Sequence, residues 1–482
     1  MITKIIHITD KKEGVTSLFI IEDISILSDF GFSTSELDYI KEKNENKESF
    51  IQLQELGTSK YIRIVRDLLV TNDDKEELRK DGYSLWVSLK KEKNEEVTVF
   101  DLAGTKDATL ALVEGLVLSS YSFEKYKTEK KDGDIHLKEV QIASSAINLT
   151  DCKELQNICE ALFIARDLVN EPVNKLDVKQ LSKSVKELSV KYGFSVDIYS
   201  KSKIESLKMG GLLAVNRGSQ DPPAFIVMEW KPEDAKNDSP VVLVGKGVVF
   251  DTGGINLKTP PGSLDDMKAD MGGAASVIGT MVALASNRIP FHVIALVPAT
   301  DNRPGLNAYV PGDIITMHNG KTVEVINTDA EGRMILADAL SYADKYNPSL
   351  VIDLATLTGS AVMAIGQYGS VVMGTATDDS FEELERVGEL VHERTVRFPF
   401  WKDYDELIKS EIADIKNLGG REAGAITAGK FLSHFTNHPW IHMDIAGPAF
   451  VNKEDNYRGN GGTGVGVRLL YEFFRQKTLR TL

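Results

Sequence analysis

Cysteine is nearly absent from this chain, with only Cys152 and Cys159 among 482 residues. The two are seven positions apart, and on a helix that spacing puts them on one face but about two turns apart, too far for a disulfide. The sequence therefore predicts no disulfide framework. So low a thiol content is typical of proteins in a reducing compartment.

Long hydrophobic runs are missing as well. Charged residues already occur within the first ten positions, MITKIIHITD, so no apolar stretch of signal-peptide length opens the chain. No window approaches the roughly 18 uninterrupted apolar residues that indicate a transmembrane helix. We therefore expect a cytoplasmic protein without a membrane partner.

Basic residues are outnumbered, because 56 lysines and arginines face 71 acids and the net charge is −15. This balance disfavours nonspecific binding to nucleic acid, which needs a basic surface, although a local basic patch stays open. A hydrophobic content of 42% and an aromatic content of 8% fit a globular protein. At 482 residues the chain is too long for one ordinary core and predicts at least two domains.

The predicted fold class is α/β, with two domains joined by a helix. Residues 1–150 alternate strand-like runs with helical stretches, carry no motif with a chemical role and predict a small N-terminal α/β domain. The strand-like runs are 17–23, 61–67, 84–90 and 97–104. A helical pattern over 151–172, with Thr150 or Asp151 as its cap and Pro172 as its stop, predicts the connecting helix.

Residues 173–482 are predicted to form a larger catalytic domain. Near-continuous apolar strands are predicted at 194–200, 224–230, 241–245, 291–299, 350–356 and 371–375, with small-residue helices at 272–286 and 334–346. This alternation predicts a mixed sheet covered by helices on both faces. In such folds the functional site lies at the carboxyl ends of the strands.

The most unusual segment is NTDAEGR, residues 327–333, which places Asp329 and Glu331 two apart and Arg333 two further on. One interpretation is a solvated turn, which is the usual explanation for an Asp-x-Glu pair. The other is a metal site, because an extended chain projects both carboxylates to the same side. The rest of the sequence has to decide between them.

A second segment, residues 241–275, carries Lys246, Asp251, Lys258 and Asp270 in Gly/Pro-rich stretches at strand ends or before a helix. It contains no GxxxxGK[ST] phosphate loop, and Asp270 alone is explained equally well as a helix cap. Together with NTDAEGR, however, the two segments supply four carboxylates, enough to balance two divalent cations. Oxygen ligands of this kind suit Mg, Mn or Zn.

The two segments resemble the leucyl aminopeptidases, cytosolic two-metal exopeptidases that form hexamers. Further matching segments, which extend the resemblance over roughly 114–482, are EGLVLSSYSFEKYK (114–127), ARDLVNEPVN (165–174), DLATLTGS (353–360), NLGGREAGAITAGKFL (417–432), HMDIAGPA (442–449) and TGVGVRLLYEFF (463–474). The resemblance implies a homohexamer that acts on peptides with a free N-terminus and holds two divalent metal ions per chain, Mn or Zn.

The resemblance also implies a role for each site residue. Lys246, Asp251, Asp270 and Glu331 would bind the tighter metal, whereas Asp251, Asp329 and Glu331 would bind the more exchangeable one. A hydroxide between the metals would attack the scissile carbonyl, Lys258 would stabilise the tetrahedral intermediate and Arg333 would hold a bicarbonate proton shuttle. The substrate pocket, suited to leucine and other apolar residues, would be lined by Met267, Thr356, Leu357, Gly359, Ala446 and Ala449.

One further metal motif is rejected on the sequence, and two alternatives remain beside this hypothesis. His434, His438 and His442 have the spacing of zinc ligands on one helix face, but Pro439 interrupts any such helix. A binding or regulatory protein on the same scaffold would keep the fold without the activity. Another two-metal hydrolase, such as a phosphatase, would use similar carboxylates, although a lysine ligand and the NTDAEGR spacing suit it poorly.

Overall fold

The computed structural model describes residues 3–9, 16–54, 58–66, 70–129 and 135–480. The chain forms two compact units, Met1–Glu160 with Glu454–Gly459, and Ala161–Lys453 with Asn460–Leu482. The boundary at residue 160 falls inside a helix, so that each unit takes part of it. The domain limits expected from the sequence, at 150 and 172, stay a prediction.

The N-terminal unit is built on one sheet. Its strands are β1 Lys4–His7, β2 Ser17–Ile21, β3 Phe50–Gln54, β4 Ser59–Ile64, β5 Glu96–Asp101 and β6 Glu139–Ser144, and its helices are α1 Thr34–Glu45, α2 Asn72–Glu92 and α3 Lys106–Ser119. The strand order is β1-β6-β5-β2-β4-β3, and neighbours pair in parallel except for β3 and β4. Asp67, the last residue of the predicted strand 61–67, lies outside the described residues.

One predicted strand of this unit is wrong, because residues 84–90 lie inside α2. Leu78, Gly82, Leu85 and Leu89 are all buried, and they recur at intervals of three and four that place them on one helix face. A short run such as SLWVSLK cannot be assigned to helix or strand by its periodicity alone. The spacing of buried residues over the whole of α2, together with its packing on α3, favours the helix.

Helix α4, Leu149–Asn170, begins earlier than predicted. Its cap is Asn148, whose side-chain oxygen accepts the N–H groups of Thr150 at 2.8 Å and Asp151 at 3.1 Å. The Asp151 carboxylate accepts the Asn148 N–H at 3.0 Å in return, which is a reciprocal capping arrangement. Cys152 and Cys159 are both buried in this helix and form no disulfide.

The C-terminal unit contains the larger sheet. Its strands are β7 Ser195–Tyr199, β8 Ala224–Trp230, β9 Val241–Gly245, β10 Gly247–Asp251, β11 Val293–Asn302, β12 Ile314–Thr316, β13 Thr322–Glu324, β14 Leu350–Ala355, β15 Ser370–Gly374, β16 Thr395–Arg397, β17 Ile415–Lys416, β18 Trp440–Asp444, β19 Phe450–Val451 and β20 Gly461–Gly462. Its helices are α5 Val178–Tyr192, α6 Lys201–Ser206, α7 Gly210–Asn216, α8 Gly272–Ser286, α9 Glu331–Ala343, α10 Gly359–Ile365, α11 Asp378–Val391, α12 Gly424–Ser433 and α13 Val467–Arg480.

Nine of these strands form the predicted mixed sheet, in the order β16-β15-β18-β14-β9-β11-β8-β7 with β10 beside β11. The central pairs β18–β14, β14–β9 and β9–β11 are parallel, whereas β15–β18, β11–β8 and β8–β7 are antiparallel. Helices α8 and α9 both pack on the central strands. Val242 and Val244, alternate residues of β9, share one core cluster with α9. The predicted α/β class with helices on both faces is confirmed.

Helix α8 consists almost entirely of small and apolar residues, and its first fourteen positions are buried. Of the described residues, one helical segment, Met267–Ser286, is apolar and long enough to cross a membrane, but 94% of its apolar 18-residue stretch is buried inside the protein. Core helices pass such a test as readily as membrane spans do. The segment is therefore a buried core helix that packs on the central strands of the sheet.

Candidate active site

The predicted site residues meet at the carboxyl ends of the central parallel strands. Lys246 directly follows β9, Asp251 ends β10, and Asp270 lies in a 3-10 turn, Met267–Met271, that leads into α8. Glu331 is the first residue of α9. All thirteen predicted metal, catalytic and pocket residues line one cavity of about 840 Å³, as expected for the end of a sheet at which parallel strands finish.

Four carboxylates and two ammonium groups form the centre of this cavity. Oxygen atoms of Asp251, Asp329 and Glu331 all lie within 4.8 Å of one another. The Lys246 Nζ atom is 2.6 Å from Asp270 Oδ1 and 3.0 Å from Glu331 Oε1. The Lys258 Nζ atom is 2.8 Å from Asp251 Oδ2 and 2.5 Å from Asp329 Oδ1. The four carboxylates thus carry more negative charge than the two lysines can neutralise.

Burial makes this crowding costly. It raises the pKa of Asp329 to about 7, with Asp251 and Glu331 adding to the shift. Burial also raises the pKa of Glu331 and, more strongly, that of Asp270. Asp270, Asp329 and Glu331 therefore resist ionisation unless further positive charge is close by. Divalent cations are the usual source of such charge in a site built from oxygen ligands.

Two buried oxygen atoms provide a direct test of whether cations fit. Asp270 Oδ2 and Glu331 Oε2 are both buried and have no hydrogen-bond partner. An unpaired carboxylate oxygen in a protein interior is unfavourable, and a metal ion removes that cost by direct coordination. The donor set, carboxylate oxygens with one amine, suits Mn or Zn. The residues present therefore fit two divalent metal ions.

The two lysines differ in their surroundings. Burial by itself would lower the pKa of Lys246, but Asp270, Glu331 and Asp251 outweigh it and the pKa lies above its usual value. The pKa of Lys258 is raised for the same reason, by Asp251 and Asp329 against burial. The Lys246 side chain is 3% exposed and that of Lys258 is 17% exposed. Only Lys258 therefore has access to the open part of the cavity.

Arg333 lies in the first turn of α9 and is buried. Its Nη1 donates to the carbonyl of Asn417 at 2.8 Å, whereas its Nε has no partner and is buried. Burial lowers the pKa of Arg333 to about 10, so the side chain keeps its charge at neutral pH. A buried cation with an unused N–H beside a helix N-terminus is a suitable place for a small anion.

The predicted substrate pocket forms the apolar part of the same cavity. It is lined by Met267, Thr356, Leu357, Gly359, Ala446 and Ala449. Asp444 holds two of the loops that meet here, because its Oδ1 accepts the N–H of Leu357 at 3.2 Å and the N–H of Ala446 at 3.1 Å. The small residues leave room for a branched apolar side chain.

Sequence reasoning missed Asn302 and Tyr309, which hold the carboxylates and their loop in place, and it predicted Thr356 only as a pocket residue. Asn302 donates its side-chain N–H to Asp251 Oδ1 at 2.8 Å and to the carbonyl of Thr328 at 3.0 Å. The Tyr309 hydroxyl donates to the same carbonyl at 2.8 Å. Thr356 donates its hydroxyl to Asp270 Oδ1 at 3.0 Å. For Asn302 the one available signal was its position three residues beyond the predicted strand 291–299, since the observed β11 extends to Asn302.

The same geometry decides the open alternative for Asp270 and agrees with the rejection of a histidine metal site. Asp270 caps no helix, because the cap position of α8 is Met271 and the Asp270 carboxylate binds Lys246 and Thr356 instead. The three histidines share no helix, since α12 ends at Ser433. His442 lies in β18 with its Nδ1 2.7 Å from Asp353, and His438 is 3.5 Å from Asp344.

The sequence of this chain is similar to those of known proteins. Residues 163–471 match the sequence model described as the cytosol aminopeptidase family, catalytic domain. A probable cytosol aminopeptidase of Clostridium perfringens is 45% identical over 386 residues, covering 78% of this chain and 77% of the relative. One from Chloroherpeton thalassium is 47% identical over 381 residues, covering 75% of this chain and 74% of the relative.

The chain belongs to the cytosol aminopeptidase family. Its fold agrees, since a mutant of tomato leucine aminopeptidase superposes with a TM-score of 0.85 at 28% identity over 98% of this chain and 96% of that one. The bottromycin maturation enzyme BotP, in complex with Mn, gives a TM-score of 0.84 at 28% identity over 96% of this chain and 100% of that one. This cytosol aminopeptidase is thus a metal-dependent hydrolase, as the sequence predicted.

Proposed function

We propose that this enzyme removes the N-terminal residue, preferably leucine or another apolar residue, from peptides in the cytoplasm. The observation that carries the proposal is the pair of buried, unpartnered carboxylate oxygens of Asp270 and Glu331 beside an apolar pocket. Unpartnered ligand atoms next to a side-chain pocket suit an exopeptidase, which has to hold a chain end and one side chain together.

The ligands divide into two sets by their burial. Lys246, Asp251, Asp270 and Glu331 are the most deeply buried and would hold the tighter metal ion. Asp251, Asp329 and Glu331 would hold the more exchangeable one, because the Asp329 side chain is 32% exposed. Asp251 and Glu331 would belong to both sets. Mn or Zn suits this mixture of oxygen ligands and one amine.

When bound, the two cations would supply Lewis acidity, which lowers the pKa of a water molecule and makes it a nucleophile at neutral pH. Lys258 would donate to the oxyanion that develops on the scissile carbonyl. Lys258 pairs with Asp251 and Asp329 in this structure, and it would donate to the substrate when those carboxylates hold a metal ion. Arg333 would hold a bicarbonate that carries the proton to the leaving amine.

Substrate recognition would use both halves of the cavity. The free α-amine of the peptide would reach the deeply buried ligand set, which explains a requirement for an unblocked N-terminus. The first side chain would occupy the pocket beside Met267, Ala446 and Ala449. Met267 offers a flexible apolar wall, and the two alanines leave volume for a branched side chain.

We also propose a homohexamer. Its support is the resemblance to the leucyl aminopeptidases alone.

Turnover of leucine p-nitroanilide tests the proposal. The chelated protein should be inactive, and Mn should restore cleavage of this substrate but not of its N-acetylated form. A phosphatase would instead cleave p-nitrophenyl phosphate, and a regulatory protein on the same scaffold would cleave neither. Equal rates on the free and acetylated substrates would rule out an aminopeptidase.

A further inference from the structure

Four cationic side chains line the active-site cavity, and three of them already have partners. Lys246 and Lys258 each contact two carboxylates, and Arg333 donates to the Asn417 carbonyl. The fourth, Arg421, lines the same cavity and is exposed. Among the residues that the structure describes, none forms an ion pair or a hydrogen bond with Arg421. Its guanidinium group is therefore available to a ligand that enters the cavity.

The loop that carries Arg421, residues 417–423, begins at a fixed point beside the metal-site segment. Asn417 is fully buried, and its side-chain oxygen accepts the N–H groups of Ile326 at 2.7 Å and Asn327 at 3.2 Å. Its side-chain N–H donates to the Asn327 carbonyl at 2.8 Å. Arg421 follows only a few residues later, so its main chain starts from a rigid origin.

The rest of the 417–423 loop is held against α12. A Cβ atom built on Gly419 would lie 2.7 Å from the Cβ atom of Thr427, so the close approach requires glycine. Ala423, at the cap position of α12, has a φ of +52°. A residue other than glycine keeps this left-handed conformation only where its surroundings hold it. The backbone of Arg421 is thus fixed in the cavity wall from both sides.

The charge of Arg421 is not neutralised by the protein. Outside the metal centre, the one acidic side chain that lines this cavity is Asp266, which precedes Met267 in the wall of the pocket for the first side chain. In the described part of the chain, Asp266 and Arg421 form no ion pair with each other. An anionic group of the substrate can therefore supply the missing partner.

A short peptide would bring such a group into the cavity. Under the proposed function, the α-amine of the peptide binds at the metal site through its lone pair and is therefore neutral. The C-terminal carboxylate is then the remaining charge of a peptide with apolar side chains. An extended chain spans about 3.3–3.6 Å per residue, which puts the carboxylate about 7 Å from the amine in a dipeptide and about 10 Å in a tripeptide. A cavity of about 840 Å³ encloses a molecule of this size.

We propose that Arg421 binds the C-terminal carboxylate of dipeptides and tripeptides and makes them the preferred substrates. The proposal rests on the proposed aminopeptidase function and names its substrate class. Arginine suits the role because its planar guanidinium group can donate two parallel hydrogen bonds to one carboxylate. A longer peptide extends beyond the cavity, so its C-terminus gains nothing from this contact.

Substrate pairs that differ only in their C-terminal group test the proposal. Leu-Gly, Leu-Gly-Gly and Leu-Gly-Gly-Gly-Gly are each compared as the free acid and as the amide, and the ratio of their kcat/KM values cancels any general effect on turnover. Wild type should favour the free acid roughly tenfold for the dipeptide or the tripeptide, the effect of one charge-assisted interaction. The pentapeptide ratio should be about one. Added salt should reduce the larger ratios, because it screens an exposed ion pair.

Three variants assign the effect to one side chain. Arg421→Gln should reduce the ratio for the short peptides to about one, mainly through KM, because it removes the charge. Arg421→Lys keeps the charge without the planar fork and should retain part of the ratio. Lys416→Gln is the matched control and should keep the wild-type ratio, because Lys416 directly precedes the loop but does not line the cavity.

Leucine p-nitroanilide, which has no C-terminal carboxylate, separates this proposal from the proposed function. A metal-loaded wild type that cannot cleave it would contradict the aminopeptidase function itself. Three results would overturn the role of Arg421 alone in an enzyme that does cleave it. They are equal rates of wild type on the short free acids and their amides, a wild-type ratio retained in Arg421→Gln, and a ratio as large for the pentapeptide as for the dipeptide.

Discussion

At the scale of single residues, two lysines of equal charge occupy different environments within one cavity. Lys246 lies beneath the acids, bound to Asp270 and Glu331, whereas Lys258 bridges Asp251 and Asp329 nearer the opening. Lys246, the more buried of the two, would serve as a metal ligand through a neutral amine, whereas the partly exposed Lys258 would stay an ammonium. Removing Lys246 and removing Lys258 should therefore impair the enzyme in different ways.

Lys258→Ala should lower kcat by roughly 10²–10³, the range for deleting one oxyanion donor, and leave KM almost unchanged. Metal analysis should still find two ions per chain. Lys246→Ala should instead lose metal at the tighter site and substrate affinity with it. Steady-state kinetics combined with metal analysis measures both effects.

Lys268→Ala is the matched control, because Lys268 lies in the same segment but donates to the Asn170 carbonyl at 2.9 Å and does not line the cavity. It should keep kcat within a factor of a few. Loss of a metal ion in Lys258→Ala, or two ions retained in Lys246→Ala, would contradict the assigned roles.

Asp338 makes stability depend on pH from within the core. Burial raises its pKa to about 7, although its oxygens accept N–H groups of Leu212 and His318, which favours the ionised form. An unfolded aspartate titrates near pH 3.9. Between about pH 4 and about pH 7 the folded state therefore holds a proton that the unfolded chain releases, so raising the pH lowers the free energy of unfolding.

Asp338→Asn removes this titration, and the melting temperature of wild type should fall relative to that of the variant as the pH rises from about 5 to about 8. Thermal scans of both proteins across this range measure the difference. Asp379→Asn, on the exposed first turn of α11, is the control and should show a constant difference. A wild-type advantage that grows with pH would show that the carboxylate is ionised in the fold.

At the scale of secondary-structure elements, glycines decide how closely α2 and α3 approach. A Cβ built on Gly82 would lie 2.3 Å from the Leu112 carbonyl oxygen, and one on Gly115 would lie 2.1 Å from that of Arg79. The obstructing atoms are main-chain atoms, which cannot rotate away. The helix pair therefore requires glycine at the crossing, where helix propensity alone would favour alanine.

Gly82→Ala should destabilise the N-terminal unit by about 1–3 kcal/mol, the range for overpacking a core. In an ordinary helix the same change would stabilise by about 1 kcal/mol, so the sign of the effect is diagnostic. Chemical denaturation measures it. Ser84→Ala, on the exposed side of α2, serves as the control and should be neutral or slightly stabilising.

At the scale of the whole molecule, the metal ions should contribute to folding as well as to catalysis. Cations that bind the folded chain alone stabilise it, by about 2.7 kcal/mol at a hundredfold excess over Kd. Exhaustive chelation should therefore lower the melting temperature, and added Mn should restore it. Lys246→Ala should show a smaller shift, because it has already lost the tighter site. An unchanged melting temperature, with metal content confirmed as nil, would contradict this expectation.

The assembly state is a second property of the whole molecule. We expect a particle of about six times the chain mass of 53.2 kDa. Light scattering coupled to size-exclusion chromatography at assay concentration measures this mass. A stable species of one chain mass under those conditions would refute the hexamer.

Much of the architecture follows from the sequence because strand and helix periods are local properties. The predicted strands 224–230 and 241–245 and the predicted helix 272–286 coincide with β8, β9 and α8. The family assignment was equally accessible, since NTDAEGR and the segment at 241–275 are each unusual combinations of charge, glycine and spacing.

Local patterns failed where the deciding contact is distant in sequence. The local pattern of residues 84–90 predicts a strand, but packing against α3 makes them part of a helix. The local sequence around Asp270 predicts a helix cap, but its carboxylate binds Lys246, which lies 24 positions earlier. The sequence by itself determined the fold class, the family and the residue types of the site. The tertiary structure alone decided that Asn302 holds Asp251 from 51 positions away, because hydrogen bonds between strand ends depend on sheet order, which no local pattern encodes.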